Sequence, residues 1–123
     1  FGKYFEDYMD EAQQPLLIAM IEHVNAVNNL EEILNVSGLD AILIGPYDLS
    51  GSMGIPGQFD HPDFLDAIET ISSTANELKK PGGIHVVEPS TKDLKLRIKE
   101  GYKFIAYSID SVFLNSSVGR PSL

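Results

Sequence analysis

The chain has 123 residues, of which 43% are hydrophobic, and this size and composition suit one globular domain with a buried core. Its 18 acidic and 9 basic residues give a net charge of −9, which argues against nucleic acid and anionic membranes as partners, because both require clustered Lys and Arg. With no cysteine, no long apolar run and no signal-like N-terminus, we expect no disulfide framework, no thiolate metal site and no membrane span, and a cytoplasmic location fits best.

The first predicted element is a helix over residues 2–12, which carries a cluster of aromatic residues and a methionine. We expect this N-terminal cluster to be core or interface rather than a cofactor site. Its members are Tyr4, Phe5, Tyr8 and Met9.

Four segments then predict strands, and the first is a continuous apolar run, the pattern of a strand covered on both faces. They occupy residues 16–21, 41–44, 83–87 and 104–109. Between the strands, apolar residues at three- and four-residue spacing predict helices. The alternation of strands with helices favours a parallel α/β sheet with right-handed crossovers.

The predicted helices have recognisable starts and stops. The first ends before Gly38, the second begins at Pro62, and the third begins at Ser90 and ends at Gly101. A short last helix is predicted over residues 111–118. Four βα units make up half of a (β/α)8 barrel, although a doubly wound sheet has the same spacing.

Two acidic residues come where the first two strands end. Glu22 directly follows the first apolar run, and Asp48 lies four residues after the second. Because consecutive parallel strands are usually neighbours about 5 Å apart, we expect the two carboxylates to stand side by side. Mg²⁺ typically takes one or two carboxylates and leaves its other positions to water and substrate oxygens. The pattern indicates a metal site suited to a 2-oxo acid; the alternative is a pair of solvated loop acids.

The motif Ile-Glu-His at residues 21–23, followed by Gly-Pro-Tyr-Asp-Leu-Ser at residues 45–50, resembles the HpcH/HpaI aldolase family. These proteins are metal-dependent class II pyruvate aldolases, of the 2-dehydro-3-deoxyglucarate and 4-hydroxy-2-oxo-heptanedioate aldolase type. The similarity continues through residues 57–62, 81–84 and 104–110. It implies that residues 1–123 form the C-terminal half of a TIM (β/α)8 barrel of the phosphoenolpyruvate/pyruvate-domain type.

The resemblance implies an aldehyde-lyase that cleaves a 4-hydroxy-2-oxo acid to pyruvate and an aldehyde through a metal-bound pyruvate enolate. Glu22 and Asp48 match the two carboxylate ligands of the divalent metal, with Mg²⁺ first and Mn²⁺ or Co²⁺ as alternatives. His85 falls where the family usually has an apolar residue that lines the pyruvate methyl pocket. The segment whose backbone amides contact the pyruvate carboxylate is matched by Gly45, Pro46, Tyr47 and Asp48.

The chain departs from the family pattern in two respects. Met20 stands where the family commonly has Gln, two residues before the metal-binding Glu, and Met cannot donate a hydrogen bond. The family's catalytic Arg and His lie on early strands that have no counterpart here. The arginines present are Arg97 and Arg120, and neither is at the end of a predicted strand. We therefore expect the catalytic base and the oxyanion-binding cation to lie outside this chain.

Several other residues have structural interpretations that compete with functional ones. His23 is expected to point to the strand face opposite Glu22, and His61 to begin a helix. Glu88 ends the third strand, where it is a candidate for contact with substrate or water. Asp110 ends the fourth strand and is expected to cap the last helix. Ser50 and Met53 match letters of the family motif and are interpreted as loop architecture.

Two further functions stay open beside the aldolase. One is a non-catalytic half-barrel or assembly module that needs a partner chain, because half a barrel leaves two sheet edges unpaired. The other is a citrate-lyase-like enzyme that binds a CoA thioester, although no basic or adenine-binding signature is present. The expected partners are a small 2-oxo acid and either further copies of the chain or a second half-barrel. Family members typically exchange their last helix between barrels, so residues 111–123 are predicted to dock on a neighbour.

Overall fold

The computed structural model describes residues 3–118, which form four strands and seven helices. The strands are β1 (Ile18–Ile21), β2 (Ala41–Ile44), β3 (Gly82–Val86) and β4 (Phe104–Tyr107). The helices are α1 (Phe5–Glu11), α2 (Val24–Asn28), α3 (Leu30–Leu34), α4 (Pro46–Ser52), α5 (Pro62–Glu77), α6 (Thr91–Lys99) and α7 (Asp110–Ser117). None of the helices in this described part is long and apolar enough to cross a membrane.

The four strands make one sheet in which every neighbouring pair is parallel, and their order in the sheet is their order in the chain. The predicted parallel α/β sheet with four βα units is therefore confirmed. A doubly wound sheet reverses its strand order at a switch point, and no such reversal occurs among these strands. The sequential order is the one that strands take around a barrel.

The buried core lies between one face of the sheet and the helices α2 to α5. Alternate residues of β1, β2 and β3 point toward this side and pack against apolar side chains of the helices. Burying one such side chain contributes about 1.5–3 kcal/mol to stability. The members of this core are Ile21, Ile42, Ile44 and Ile84 on the strands and Leu30, Leu34, Leu49, Phe64, Ile71 and Ala75 on the helices.

The other face of the sheet, here called the open face, is formed by the intervening strand residues. Ile18 and Met20 are 43% and 51% exposed, and Phe104 lies on the same face. Gly83 is the register partner of Phe104, and a Cβ on this glycine would overlap with the phenyl ring. In a closed barrel the corresponding face is the packed interior. In this chain the open face is uncovered, so its apolar side chains are available to a partner.

Most predicted elements differ from the observed ones by a few residues, and the structure shows a reason for three of the differences. The helix predicted after the first strand is divided into α2 and α3 at Asn29, whose side chain donates to the carbonyl of Asn25 (2.7 Å) and competes with regular helical bonding. The first strand begins at Ile18, since the Leu17 amide donates to the Asp40 side chain (2.8 Å). The fourth strand ends where Ser108 takes a positive φ of 62°.

Two of the predicted helix starts are confirmed and one is wrong by a residue. His61 and Ser90 are the N-caps of α5 and α6, and each side chain accepts a hydrogen bond from an amide in the first turn. Asp110 does not cap α7, because the extended residue before it, Ile109, is the N-cap and Asp110 is the first helical residue. The Asp110 carboxylate accepts from the Ser111 amide instead (2.7 Å).

The two ends of the described chain are exposed. No residue of α1 is buried, so the N-terminal cluster is not part of the core as described, and its assignment to an interface stays a prediction. The last helix, α7, also has no buried residue. Its predicted docking on a neighbour is not tested, and residues 119–123, including Arg120, lie outside the described residues.

Candidate metal and substrate site

Glu22 and Gly45 face each other where β1 and β2 end. The register pairs Ile21 with Ile44, and the Gly45 amide donates to the Ile21 carbonyl (3.1 Å), which extends the pairing beyond the strands. A Cβ on Gly45 would lie 3.2 Å from the Cβ and 3.3 Å from Oε2 of Glu22. Because Gly45 has no side chain, the space next to the Glu22 carboxylate stays open.

The segment that follows Gly45 is a short helix, α4, and not the predicted loop. Gly45 is its N-cap and Pro46 occupies its first position, where the missing amide proton costs no hydrogen bond. Asp48 is exposed in the first turn, where the positive end of the helix favours a carboxylate. The amides of Tyr47 and Asp48 are first-turn amides, which have no acceptor within a helix.

Ser52 joins the segments that carry the two acids, a role that the sequence analysis missed. Its hydroxyl accepts from the Val24 amide (3.0 Å) and donates to the Leu49 carbonyl (2.7 Å). Val24 lies two residues after Glu22, and Leu49 is the residue after Asp48. This bridge holds the start of α2 against α4 and fixes the two strand ends relative to each other.

Ser50 stabilises α4 from its buried side, as its interpretation as loop architecture predicts. The side chain is fully buried, donates to the Tyr47 carbonyl (2.9 Å) and accepts from the Gly57 amide (3.0 Å). Met53 ends the helix and packs against the core. Both motif residues thus shape the segment rather than face a ligand.

Neither candidate ligand is engaged elsewhere in the described chain. Within residues 3–118, the carboxylates of Glu22 and Asp48 form no hydrogen bond or ion pair. No group of three or more His, Cys, Asp and Glu side chains in that part could hold a metal, so the candidate set is this pair of acids. Oxygen ligands beside a space that a glycine keeps open suit a hard divalent cation that retains water or substrate oxygens.

Met20 borders the same space. Its Sδ lies 3.8 Å from the position of a Cβ on Gly45, on the face that carries Glu22. A thioether accepts hydrogen bonds only weakly and donates none, so Met20 gives this border of the site an apolar character.

His85 lies on the third strand and its ring contacts the end of the fourth. Its Nε2 is 3.3 Å from the carbonyl oxygen of Ser108. His85, Pro46 and Tyr47 also border a groove of about 470 Å³ beside the carboxyl end of β3. Residues of α5 and α6 line its other side, and Glu22, Gly45 and Asp48 do not line it. Three of the residues predicted to bind substrate therefore share one groove. Glu88 is exposed on its wall, consistent with its position after the strand.

Ser108 is the second residue that the sequence analysis missed. It combines a left-handed backbone with burial, and its hydroxyl has no hydrogen-bond partner within the described residues. A non-glycine residue in this conformation costs roughly 1–2 kcal/mol. Nothing in the sequence signals it, because Ser is not among the residues that favour positive φ.

The remaining candidates have structural roles. His23 caps α2 by accepting from the Asn25 amide at Nδ1 (3.1 Å). Arg97 lies on α6, is bound to Glu100 (2.8 Å), and lines the groove beside the carboxyl end of β3. His61 caps α5 and lies 3.8 Å from the Asp63 carboxylate.

The chain is similar to known proteins over almost all of its length. A family model described as HpcH/HpaI aldolase/citrate lyase matches residues 3–116. A curated relative called 2-keto-3-deoxy-L-rhamnonate aldolase, from Klebsiella pneumoniae subsp. pneumoniae, is 34% identical over 116 residues, which are 94% of this chain and 43% of the relative. The protein of the same name from Escherichia coli strain K12 is 33% identical over the same shares.

Solved structures agree with this likeness. The HpcH/HpaI aldolase from Desulfitobacterium hafniense DCB-2 superposes with a TM-score of 0.77 at 27% identity, over 95% of this chain and 45% of that protein. Citrate synthase SbnG gives a TM-score of 0.74 at 28% identity, over 90% and 45%. The predicted fold class is confirmed by these neighbours, and the chain spans less than half the length of each.

Proposed function

Because the chain belongs to the HpcH/HpaI aldolase/citrate lyase family, we propose that it is part of a divalent-metal-dependent aldolase that releases pyruvate from a 4-hydroxy-2-oxo acid. Relatives called aldolases support carbon–carbon lyase chemistry. The observation that carries the proposal is the Glu22 carboxylate beside the space kept open by Gly45, at the carboxyl ends of two paired strands.

In this proposal Glu22 and Asp48 hold the cation, with Mg²⁺ first and Mn²⁺ or Co²⁺ as alternatives. A bound divalent cation supplies Lewis acidity toward the 2-oxo oxygen. The first-turn amides of α4, at Tyr47 and Asp48, donate to the substrate carboxylate. His85 borders the carbon skeleton of the substrate.

The complete reaction also requires groups that this chain does not contain. A base must take the proton from the 4-hydroxyl, and a cation must stabilise the developing oxyanion. The chain spans 43% of its aldolase relatives, so the proposal assigns these groups to the remaining part of a barrel. Residues 1–123 are proposed to be its C-terminal half, within a homo-oligomer or beside a second half-barrel chain.

The proposal is tested by metal and pyruvate binding in Glu22→Gln and Asp48→Asn. Each change removes one charged oxygen ligand, and we expect each to weaken Mn²⁺ binding at least about tenfold, which corresponds to about 1.4 kcal/mol. Calorimetry measures binding of the metal and of pyruvate with the metal. A coupled assay of pyruvate release, with and without EDTA, measures activity in the complete protein.

A matched pair of glycine variants separates the site from the stability of α4. Gly45→Ala places a Cβ 3.3 Å from Oε2 of Glu22, so it is expected to displace the carboxylate and weaken metal binding. Gly51→Ala adds a Cβ with nothing within 4 Å and is expected to leave binding unchanged. Wild-type affinity in Glu22→Gln, Asp48→Asn and Gly45→Ala together would contradict the proposed metal site.

The open face of the sheet favours a second candidate, a non-catalytic half-barrel that assembles with a partner chain. Its apolar residues, such as Ile18 and Met20, are half exposed on a surface that closed barrels bury. Native mass measurement distinguishes the two candidates, because an assembly module forms a complex without binding metal or pyruvate. A citrate-lyase-like enzyme is the third candidate, suggested by the family description, and it requires activity with a CoA thioester.

A further inference from the structure

His85 stands in a row with Glu22 and Gly45 across three neighbouring strands. The isoleucines that precede these three residues are register partners, so the three lie at one level, toward the carboxyl edge of the sheet. Strands are about 4.8 Å apart, so Glu22 and His85 are separated by roughly 10 Å at the backbone, with only the glycine between them. The space over Gly45 therefore lies between the strand that carries His85 and the strand end that carries Glu22.

The same alternation places His85 on the open face. Ile84 and Val86, its neighbours along β3, are buried toward the helices, and its register partner on β4 is Ala106. At this level the four strands carry, in order, the Glu22 carboxylate, Gly45 without a side chain, the His85 imidazole and the methyl group of Ala106. This spacing leaves room for a small ligand beside the imidazole.

A contact with the residue that follows the neighbouring strand favours one tautomer of the ring. The Ser108 carbonyl oxygen, 3.3 Å from Nε2, can only accept, so Nε2 donates. A neutral imidazole carries one ring proton, which leaves Nδ1 as a bare acceptor. Within residues 3–118 no hydrogen bond occupies Nδ1, so its lone pair is available to a ligand.

Ser108 is held in the conformation that directs its carbonyl oxygen to this ring. Its φ is +62°, its amide donates to the Val86 carbonyl (2.7 Å), and its side chain is only 8% exposed. The hydroxyl is buried and has no partner in the described chain. The fold therefore retains an unfavourable residue whose carbonyl orients the imidazole.

We propose that His85 is a catalytic residue that moves a proton between Nδ1 and C3 of the bound 2-oxo acid, with Ser108 as its positioning residue; this rests on the proposed function. In pyruvate a C3–H bond breaks, and the proton goes to Nδ1. The electron pair of that bond forms the C2–C3 double bond, and the carbonyl pair moves onto the 2-oxo oxygen. The reverse step returns the proton to C3 and restores the neutral ring, so no further reactant is needed.

Exchange of the pyruvate methyl protons with D₂O, followed by proton NMR with Mg²⁺ present, tests this step, because it needs only groups on this chain. We expect the wild-type protein to exceed Mg²⁺ alone, and His85→Gln and His85→Leu to be at least about 100-fold slower with pyruvate affinity retained. Gln keeps a donor for the Ser108 carbonyl but has no basic nitrogen. It therefore separates proton transfer from ring orientation.

A readout independent of the metal is the nitrogen-15 NMR spectrum of the His85 imidazole in metal-free protein. We expect the neutral ring to be protonated at Nε2. Ser108→Val, whose branched side chain disfavours a positive φ, is expected to reduce that tautomer, whereas Ser108→Gly is not. An unchanged tautomer in Ser108→Val overturns the positioning role.

The possible failures are distinguishable. Undiminished exchange in His85→Gln, or a ring protonated at Nδ1, overturns the role of His85 and leaves the proposed function in place. If the wild-type protein does not bind pyruvate with Mg²⁺, the proposed function fails, and the role of His85 fails with it. Slow exchange in both His85 variants with intact binding supports the proposal.

Discussion

At the scale of single residues, Ser108 shows how an unfavourable conformation can be retained beside a site. Its left-handed backbone and its buried hydroxyl without a partner in the described chain both lower the stability of the folded state. Both lie in the residue whose carbonyl contacts His85. The two destabilising features therefore lie in the residue whose carbonyl orients the His85 ring.

Ser108→Gly is expected to raise the free energy of unfolding by about 1 kcal/mol. Glycine adopts a positive φ without strain and removes the buried hydroxyl, and these gains outweigh the greater flexibility that glycine gives the unfolded chain. Urea unfolding measures the difference. Ser108→Ala keeps the strain and is expected to gain less. A glycine variant no more stable than the wild type would show that the conformation carries no strain.

At the scale of elements, the strands were predictable from the sequence and helix α4 was not. Strands β1 and β2 are apolar on both faces, which gives a continuous signal, and β3 and β4 are mostly apolar. Helix α4 contains glycine and two serines, which form helices weakly, and it depends on Pro46 at its start and on the bonds of Ser50. Those bonds reach Tyr47 within the motif and Gly57 seven residues after Ser50, and they leave no periodic pattern.

The candidate site was likewise predictable in part: the positions of the two acids could be inferred, and the hydrogen bonds around them could not. Glu22 and Asp48 follow strands, so the positions of the strand ends could be inferred once the strands were recognised. The contacts of His85 with Ser108 and of Ser52 with Val24 depend on backbone direction in three dimensions. Neither residue pair has a spacing that marks a hydrogen bond in the sequence.

Ser50→Ala is expected to destabilise the protein by about 0.5–1.5 kcal/mol, because the buried Ser50 hydroxyl no longer accepts from the Gly57 amide. The measurements are urea unfolding and hydrogen exchange of the Gly57 amide, which is expected to become faster. Ser73→Ala is the matched control, since Ser73 is an exposed residue of α5 whose hydroxyl bonds only to its own helix. Equal effects of the two changes would rule out a special role for Ser50.

At the scale of the whole molecule, the chain exposes more surface than a compact monomer does. Its accessible area is 8969 Å², whereas a folded monomer of 13.5 kDa exposes roughly 6,500 Å². The open face, with Ile18 and Met20, and the exposed helix α1 contribute to the excess. Exposed apolar side chains on a chain with this excess of surface are typical of an interface that is buried in an assembly.

We expect the protein to associate through the open face. Ile18→Lys places a charge on that face and is expected to shift the protein toward the monomer in sedimentation velocity. Val36→Lys is the control, because Val36 is 52% exposed but lies outside the strands, in the turn after α3. A wild-type protein that is already monomeric at micromolar concentration, with no shift in either variant, would contradict this expectation.

The bridge made by Ser52 bears on how the acid pair forms during synthesis. The residues it joins, Val24 and Ser52, are 28 positions apart, and closing so short a loop requires little entropy. Asp48 belongs to this stretch and Glu22 lies two residues before it, and both leave the ribosome before β3 and β4. We therefore expect a nascent chain to bring the two carboxylates together, and to capture a cation, while the rest of the sheet is still being translated.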